Sequence, residues 1–288
     1  MEYFIHLAIL FSLSALFAIS LDLLIGYTGL ISVTQASFGG VSAYTVALLT
    51  LNYHVNFFIA MLAGVLLASL TALIVGFVFS RFRGDYYILG TIGFSYIAFS
   101  VFLNWQSLTG GPLGIPGIPR PEIFGFAFSD NTAFLALTIG TLGLLYLCSR
   151  FIVNSSFGRV LKAIREDEEA VSVFGYRALF YKLAIFVIAA AMMGIGGALY
   201  APFLTYIDPF AFGLTPSIYI LTVVILGGLG SLRGPIVGAG VLIALLEGLR
   251  FAGFPPDVSA QLQQLIYGLL LVGLMLYRPQ GLLGEFRL

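Results

Sequence analysis

The densest group of charged side chains in this sequence lies between Arg159 and Glu169, where seven of eleven residues are ionisable. They are Arg159, Lys162, Arg165, Glu166, Asp167, Glu168 and Glu169. The whole chain of 288 residues has only 13 basic and 13 acidic residues. Clustered carboxylates can serve acid–base catalysis, but the two histidines, His6 and His54, lie far away in sequence. The charged stretch therefore favours a binding surface over a catalytic centre.

Other kinds of reactive site find no support in the sequence. A phosphate-binding loop needs a lysine after glycine, whereas Lys162 follows a leucine and Lys182 follows a tyrosine. Any ATP hydrolysis must therefore come from another chain. Cys148 is the single cysteine, so an internal disulfide is excluded, and with two histidines no zinc ligand set can form. We expect neither a metal nor a cofactor.

Composition indicates a protein surrounded by lipid. Hydrophobic residues make up 60% of the chain, charged residues 9%, and the mean hydropathy is +1.05. Soluble domains carry about a quarter charged residues, so this chain lacks the polar surface that a soluble globule needs. The net charge of zero gives no reason to expect nucleic acid as a partner. We predict an all-α polytopic membrane protein whose residues 1–288 form one transmembrane domain.

A membrane span needs about 20 mostly apolar residues. Nine segments qualify: 3–25, 30–51, 57–80, 86–105, 131–151, 183–203, 213–229, 235–250 and 259–277. Segments 30–51, 86–105 and 213–229 are short or interrupted by glycine, which is typical of broken or re-entrant helices in transporters. We therefore expect about 8–10 transmembrane segments.

The placement of lysine and arginine predicts the orientation, because positive residues stay on the cytoplasmic side. If residues 81–84 are cytoplasmic and the spans alternate, only Arg120 and Arg250 lie outside. The basic residues that then lie inside are Arg81, Arg83, Arg150, Arg159, Lys162, Arg165, Arg177, Lys182, Arg233, Arg278 and Arg287. This bias predicts an external N-terminus and a cytoplasmic C-terminus.

Two connections are long enough to have a function. Residues 106–130 are rich in glycine and proline, which predicts a stiff loop dense in turns. This loop is either a connector or an external lip that contacts something delivered from outside. Residues 152–182 form a cytoplasmic loop, in which 157–174 reads as one helix that begins after Ser155 and Ser156 and ends before Gly175.

The loop helix could rest on the membrane surface or bind a protein. A helix on an anionic lipid surface should have a basic polar face. Residues 166–169 are instead four consecutive acids, which such a surface would repel. A protein partner therefore fits better.

Six stretches together resemble one transporter family. They are GRVLKAIREDEEAVSVFGY (158–176), GYTGLISVTQASFGGVSAYTVALL (26–49), RGDYYILGTIGF (83–94), TGGPLGIPGIPRP (109–121), TVVILGGLGSLRGPIVGAGVL (222–242) and YRPQGLLG (277–284). Taken in their order along the chain, they resemble the permease subunits of branched-chain amino-acid ABC importers, the LivM type. The resemblance covers nearly the whole chain.

The resemblance implies an ABC importer permease fold in the cell inner membrane and several partners. These are two ABC ATPase subunits, a second, LivH-like permease subunit and an external substrate-binding protein. It also implies that a short cytoplasmic helix in loop 152–182 fits a groove on an ATPase and relays its closure to the pore. The residues that match this coupling segment are Gly158, Arg159, Ala163, Arg165, Glu166, Asp167 and Gly175.

For the substrate path we select polar and aromatic residues in glycine-broken spans. They are Thr34, Gln35, Ser37, Phe38, Thr91 and Phe94. The sequence departs from the family pattern here, since Thr34 and Gln35 replace a usual Gly-His pair. The fourth span also lacks the acid and arginine that often follow its GF. Leucine, isoleucine and valine are the implied substrates, while urea, amides and other amino acids stay open.

A secondary carrier or channel is the alternative. Carriers driven by protons or ions need ionisable groups inside the bilayer. Candidates are few: Asp22 lies near the inner end of its span, and Glu247 and Arg250 are three residues apart and can pair. We expect structural roles for these side chains, so an interior this poor in charge favours an external motor.

Overall fold

The computed structural model describes residues 1–82, 84–123, 126–128, 130–251, 256–277 and 280–284. Each of the nine predicted segments coincides with a helix in this part of the chain. The helices are α1 (Glu2–Thr28), α2 (Gln35–Tyr53), α3 (Phe57–Phe79), α4 (Asp85–Asn104), α6 (Asn131–Asn154), α9 (Ala178–Leu204), α10 (Leu214–Gly227), α11 (Gly234–Phe251) and α12 (Pro256–Tyr277). Helices α1, α3, α4, α6 and α9 are each long and apolar enough to cross a membrane. The all-α polytopic prediction is confirmed.

Helices α1, α2 and α9 form the centre of the bundle, and α3, α4 and α6 lie outside them. The most apolar window of α1 is 72% buried and that of α9 is 61% buried, against 22% for α3. Small residues allow the central helices to pack closely. A side chain at Gly197 of α9 would collide with the backbone of Gly39 of α2. The exposed leucines of α3 are suited to lipid.

One end of the bundle carries short strands, and we call it the strand end. Here β1 (Ile115–Pro116) pairs antiparallel with β4 (Tyr206–Ile207), which joins loop 106–130 to the segment after α9. The remaining elements of this end are α5 (Gln106–Thr109), the 3₁₀ turns Gly111–Leu113 and Pro209–Phe212, β2 (Glu122–Ile123) and β3 (Phe126–Ala127). Gly110, Gly111, Gly114 and Gly117 all have positive φ, so the predicted turn-dense loop is confirmed.

The opposite end carries two short helices, α7 (Ser156–Glu166) and α8 (Glu168–Val173), and we call it the loop end. The predicted single helix over 157–174 is wrong, because Asp167 is extended (φ −156°, ψ 102°) and separates the two. The Asp167 carboxylate accepts the backbone N–H groups of Glu169 (2.9 Å) and Ala170 (3.0 Å). Aspartate favours such capping over a helix interior, which explains the break.

The three expected helix interruptions have different outcomes. Segment 30–51 is broken, because residues 29–34 are irregular before α2 begins. Segment 213–229 holds only the 14-residue α10. For segment 86–105 the prediction is wrong, since α4 is continuous across its glycines. A Cβ at Gly90 would lie 3.3 Å from the rings of Phe79 and Phe82, so this glycine serves close packing instead of a break.

Candidate coupling surface and substrate path

Five of the seven coupling residues predicted from the sequence lie in α7, divided between its two faces. Arg159, Ala163 and Glu166 are exposed and recur at helical spacing, so they form one outward stripe. Gly158 is buried on the inward side, where a Cβ would collide with the Val153 carbonyl. We call Arg159, Ala163 and Glu166 the outward stripe. Its mixed charge is available to a partner.

Arg165 points inward. Its side chain is 12% exposed, and its Nη1 donates to the carbonyl oxygen of Gly26 in α1 at 2.6 Å. Its Nε and Nη2 donate to Oε1 of Glu166 at 3.2 and 2.9 Å. Arg165 is therefore held within this chain, whereas the neighbouring Glu166 side chain is 66% exposed.

The other two predicted coupling residues lie at the ends of α8. Asp167 caps its first turn, and Gly175 follows its end with φ +87°, a conformation that favours glycine. Both are exposed. An ion pair between Lys182 and Glu168 attaches α8 to α9. The loop end is thus a folded surface with fixed positions for its exposed groups.

A groove of about 580 Å³ opens beside the outward stripe, between α7, α8 and the start of α9. Arg159 and Ala163 lie on its wall, and Phe157, Phe174 and Tyr181 supply much of its apolar surface. The Phe174 side chain is 80% exposed. A groove with an apolar floor and a charged rim has the anatomy of a protein-binding surface.

The six residues predicted to form a substrate path come together around the start of α2. The rings of Phe38 and Phe94 stack with centroids 5.6 Å apart. Thr91 accepts the backbone N–H of Val33 at 3.4 Å, and Thr34 Oγ1 lies 2.9 Å from Ser32 Oγ. Thr34, Gln35, Ser37, Phe38 and Thr91 are all at most 1% exposed, and Phe94 is partly buried. They surround the irregular segment 29–34, whose backbone needs such partners inside a membrane.

Several buried polar groups of α2 make no hydrogen bond within the described part of the chain. These are both amide atoms of Gln35 and the hydroxyls of Ser37, Ser42 and Tyr44. Most buried polar groups in proteins do have a partner. These four side chains could therefore bind a polar solute or water that passes along α2.

The structure also shows a cavity that the sequence did not indicate. It has a volume of about 470 Å³ and lies between α1, α9, α10, α11 and α12, within the roughly 300–1,000 Å³ typical of ligand pockets. Its walls are mainly apolar, with Phe17, Met193 and Phe212 among them. None of the six predicted path residues lines it, although Ala36 does.

Polar groups lie at defined positions in this cavity. Tyr219 Oη lies 3.2 Å from Ser14 Oγ, and the Tyr3 hydroxyl donates to the Glu247 carboxylate at the strand end. Among the described residues that line the cavity, Glu247 is the one that is acidic. The sequence spacing permits Glu247 to pair with Arg250, but the Arg250 side chain lies outside the described residues. The sequence signal that could have located the cavity is an acidic residue, Glu247, in the span that follows the short α10.

Asp22 lies in the interior of the bundle. Its side chain is fully buried, and its Oδ1 accepts the backbone N–H of Gly230 at 2.9 Å. Gly230 lies in the turn between α10 and α11. Asp22 therefore connects α1 to that turn.

Comparisons with known proteins agree with the resemblance. The family model "Branched-chain amino acid transport system / permease component" matches residues 3–275. The LivM permease protein of the high-affinity branched-chain amino acid transport system of Escherichia coli K12 is 32% identical over 98% of this chain and 70% of its own length. A probable LivM permease protein of Methanocaldococcus jannaschii is 26% identical over 78% of this chain and 68% of its own.

A second type of relative also matches. The LivH permease protein of the Escherichia coli K12 system is 29% identical over 66% of this chain and 63% of its own length. No solved structure matches the chain. The family model and the LivM similarity both extend over nearly the whole bundle. The chain belongs to the family of permease components of branched-chain amino acid transport systems.

Proposed function

We propose that this chain is one permease subunit of an ATP-driven importer of branched-chain amino acids and forms half of its translocation pore. Its membership of the permease family is the observation that carries this proposal. The second half of the pore would be a LivH-like subunit, because LivH proteins are also similar to this chain. Two ABC ATPases would supply the energy, and an external binding protein would deliver the substrate.

The loop end would face the cytoplasm of the cell, with the protein in the inner membrane. Arg159, Lys162 and Lys182 lie at this end, as positive residues do on the cytoplasmic side. In this orientation the N-terminus of α1 is external. The strand end, with β1 and β4, would then receive the external binding protein.

The outward stripe and the groove beside it would bind the ATPase. Charges of both signs on Arg159 and Glu166 would fix the register of docking, and the apolar groove would take an apolar side chain of the partner. Lipid is a poorer fit, because residues 166–169 are acidic. Closure of the ATPases on ATP would displace α7.

The cavity would hold the amino acid on its way through. Its apolar walls suit an aliphatic side chain, and the Glu247 carboxylate suits the α-ammonium group. Ala36 at the cavity wall precedes Ser37 in α2, so a solute that leaves the cavity along α2 would meet buried groups without partners, such as the Gln35 amide. Weak, successive contacts of this kind would permit release.

Co-purification tests the proposed partners. The chain is expressed with its neighbouring gene products, and the ATPases retained by detergent-solubilised protein are quantified. We expect retention by the wild type and by Arg81→Glu, the same charge reversal at an exposed arginine at the same end but outside α7. Arg159→Glu should reduce retention at least about tenfold, since reversal of a charge at an interface costs several kcal/mol. Equal retention by all three proteins would contradict docking at the outward stripe.

A further inference from the structure

Arg165 makes a contact that docking does not explain. The carbonyl of Gly26 lies in the last turn of α1, where helical carbonyls lack intrahelical partners. Arg165 satisfies this carbonyl at 2.6 Å and places a positive charge at the negative end of the α1 dipole. With a side chain 12% exposed, Arg165 presents little surface to a partner. Its Nη1 bonds to α1, while its Nε and Nη2 bond to the neighbouring Glu166.

The same face of α1 contacts the turn between α10 and α11. Asp22 and Gly26 are one helical turn apart, and the fully buried Asp22 carboxylate accepts the Gly230 N–H at 2.9 Å. A Cβ at Gly26 would collide with both the Asp22 carboxylate and the Gly230 backbone. Glycine is thus required where the turn lies against α1. Arg165, Gly26, Asp22 and Gly230 form a continuous line of contacts, which we call the junction.

The helices that meet at the junction also form the walls of the cavity. Helix α1 contributes Leu10 and Phe17, α10 contributes Tyr219, and α11 contributes Ile243 and Glu247. Helices transmit displacement along their length because their backbone hydrogen bonds keep them stiff, and packed interfaces move as units. A shift of α7 that pulls on Gly26 would therefore reach the cavity walls through α1 and, by way of Asp22, through the turn.

We propose that Arg165 is a positioning residue that transmits the movement of α7 to the cavity through the junction, and that it does not bind the ATPase. This inference rests on the proposed transport function. The outward stripe binds the motor, and the inward side of the same helix, through Arg165, moves α1 and the α10–α11 turn. Binding and transmission are thus separate properties of two faces of α7.

The test compares Arg165→Met with Arg159→Met in the reconstituted complex with its ATPases, second permease and binding protein. Three quantities are measured: ATPase retained, ATP hydrolysed and leucine imported per ATP. Arg165→Met keeps an unbranched apolar stem but removes the guanidinium group and with it every donor. We expect it to retain ATPase within about twofold and to import at least roughly tenfold less leucine per ATP, the fold-change expected from the loss of one charge-assisted hydrogen bond. Arg159→Met should instead lose ATPase.

Two further variants keep the test independent of a folding defect. Arg165→Lys retains one donor for Gly26 and should restore part of the import per ATP. Asp22→Ala removes the contact of the junction with Gly230 and should lower import per ATP in the same way. The double variant Arg165→Met/Asp22→Ala should import no less leucine per ATP than the more affected single variant. Additive losses would show that the two residues act separately and would overturn the relay.

Hydrogen exchange gives a readout in the wild-type complex. ATP should change the amide protection of residues 226–234 in the wild type but not in Arg165→Met, while peptides from α7 respond in both. Full import per ATP in Arg165→Met, or loss of its ATPase, would overturn the relay and leave the proposed function standing. Failure of the wild-type complex to import leucine with ATP would overturn both.

Discussion

The two ends of the bundle differ in how they are packed. At the loop end, backbone meets backbone: Gly228 lies against Gly284, and Leu282 and Leu283 donate N–H bonds to the carbonyls of Leu226 and Gly227 at 3.0 and 2.9 Å. Toward the strand end, the same helices enclose a cavity of about 470 Å³. Close backbone packing cannot yield without disrupting hydrogen bonds, whereas side chains around a cavity can change rotamers.

Under the proposed function, this difference gives the two ends separate tasks. The loop end is suited to receive force as a rigid unit, and the cavity region is suited to change shape around a solute. Substitutions at the loop end should therefore act mainly on folding and coupling. Substitutions at the cavity should act mainly on transport and affinity.

The largest expected effect comes from a bulky side chain introduced at the closely packed loop end. Gly228 has φ +110°, and a Cβ there would collide with the backbone of Gly284. Gly228→Val should destabilise the fold by about 3 kcal/mol or more, from strain and overpacking together. Gly140→Val is the control, because no atom of the described residues lies within 4 Å of a Cβ at Gly140. Thermal unfolding in detergent should separate the variants, and equal midpoints would contradict rigid packing at the loop end.

The next largest effect comes from a larger side chain introduced into the cavity. Ile243→Trp would fill part of the space that we assign to the substrate and should lower leucine uptake at least about tenfold, because the pocket can no longer accommodate the side chain. Ala244→Trp is its control, since Ala244 is exposed on the same helix and does not line the cavity. ATPase retention should stay normal in both. Normal uptake in Ile243→Trp would place the substrate elsewhere.

A smaller effect should follow removal of the charge at Glu247. Glu247→Gln keeps the shape but loses the anion that would attract the α-ammonium group, at a cost of about 1.5–3 kcal/mol in a charge-assisted hydrogen bond. We expect a KM for uptake raised roughly tenfold or more, with little change in ATP hydrolysed per cycle. Glu2→Gln, an exposed acid at the same end, should leave KM unchanged. An unaltered KM in Glu247→Gln would remove this residue from the path.

The smallest expected effects come from removing one helix cap at each end of the bundle. Asp167 caps α8 at the loop end, and the Asn56 side chain accepts the Phe58 N–H at 3.0 Å to cap α3 at the other end. Each alanine substitution should cost about 1 kcal/mol of stability. Only Asp167→Ala should also reduce ATPase retention, because α8 borders the docking groove. Asp167→Asn preserves the cap and should restore retention; failure to do so would give the Asp167 charge itself a docking role.

The sequence predicts the bundle well for definite physical reasons. A span needs a long apolar run, and all nine such runs coincide with helices. The prolines and glycines of loop 106–130 predicted its turns, and the short apolar segment 213–229 predicted the short α10. Glycine is ambiguous inside a span, since the same residue permits a break or a close contact. This ambiguity is why the continuous α4 was predicted to be interrupted.

The site was less accessible to sequence reasoning. Matching a family segment selects residues together, but it does not say which face of a helix each residue occupies, so Arg159 and Arg165 received the same role. The cavity is formed by five helices that are distant in sequence, and its walls are ordinary apolar residues with no motif. The sequence shows Asp22 only by its position along α1, whereas its packing depends on Gly230, which is distant in sequence.

Uptake of radiolabelled leucine into proteoliposomes tests the central claim most directly. Vesicles contain this chain with its second permease and ATPases, loaded binding protein is added outside, and ATP is enclosed within. We predict uptake that requires enclosed ATP and stops when the ATPases are omitted. Uptake by vesicles that contain this chain alone, without ATPase or ATP, would contradict the account and identify a self-sufficient carrier.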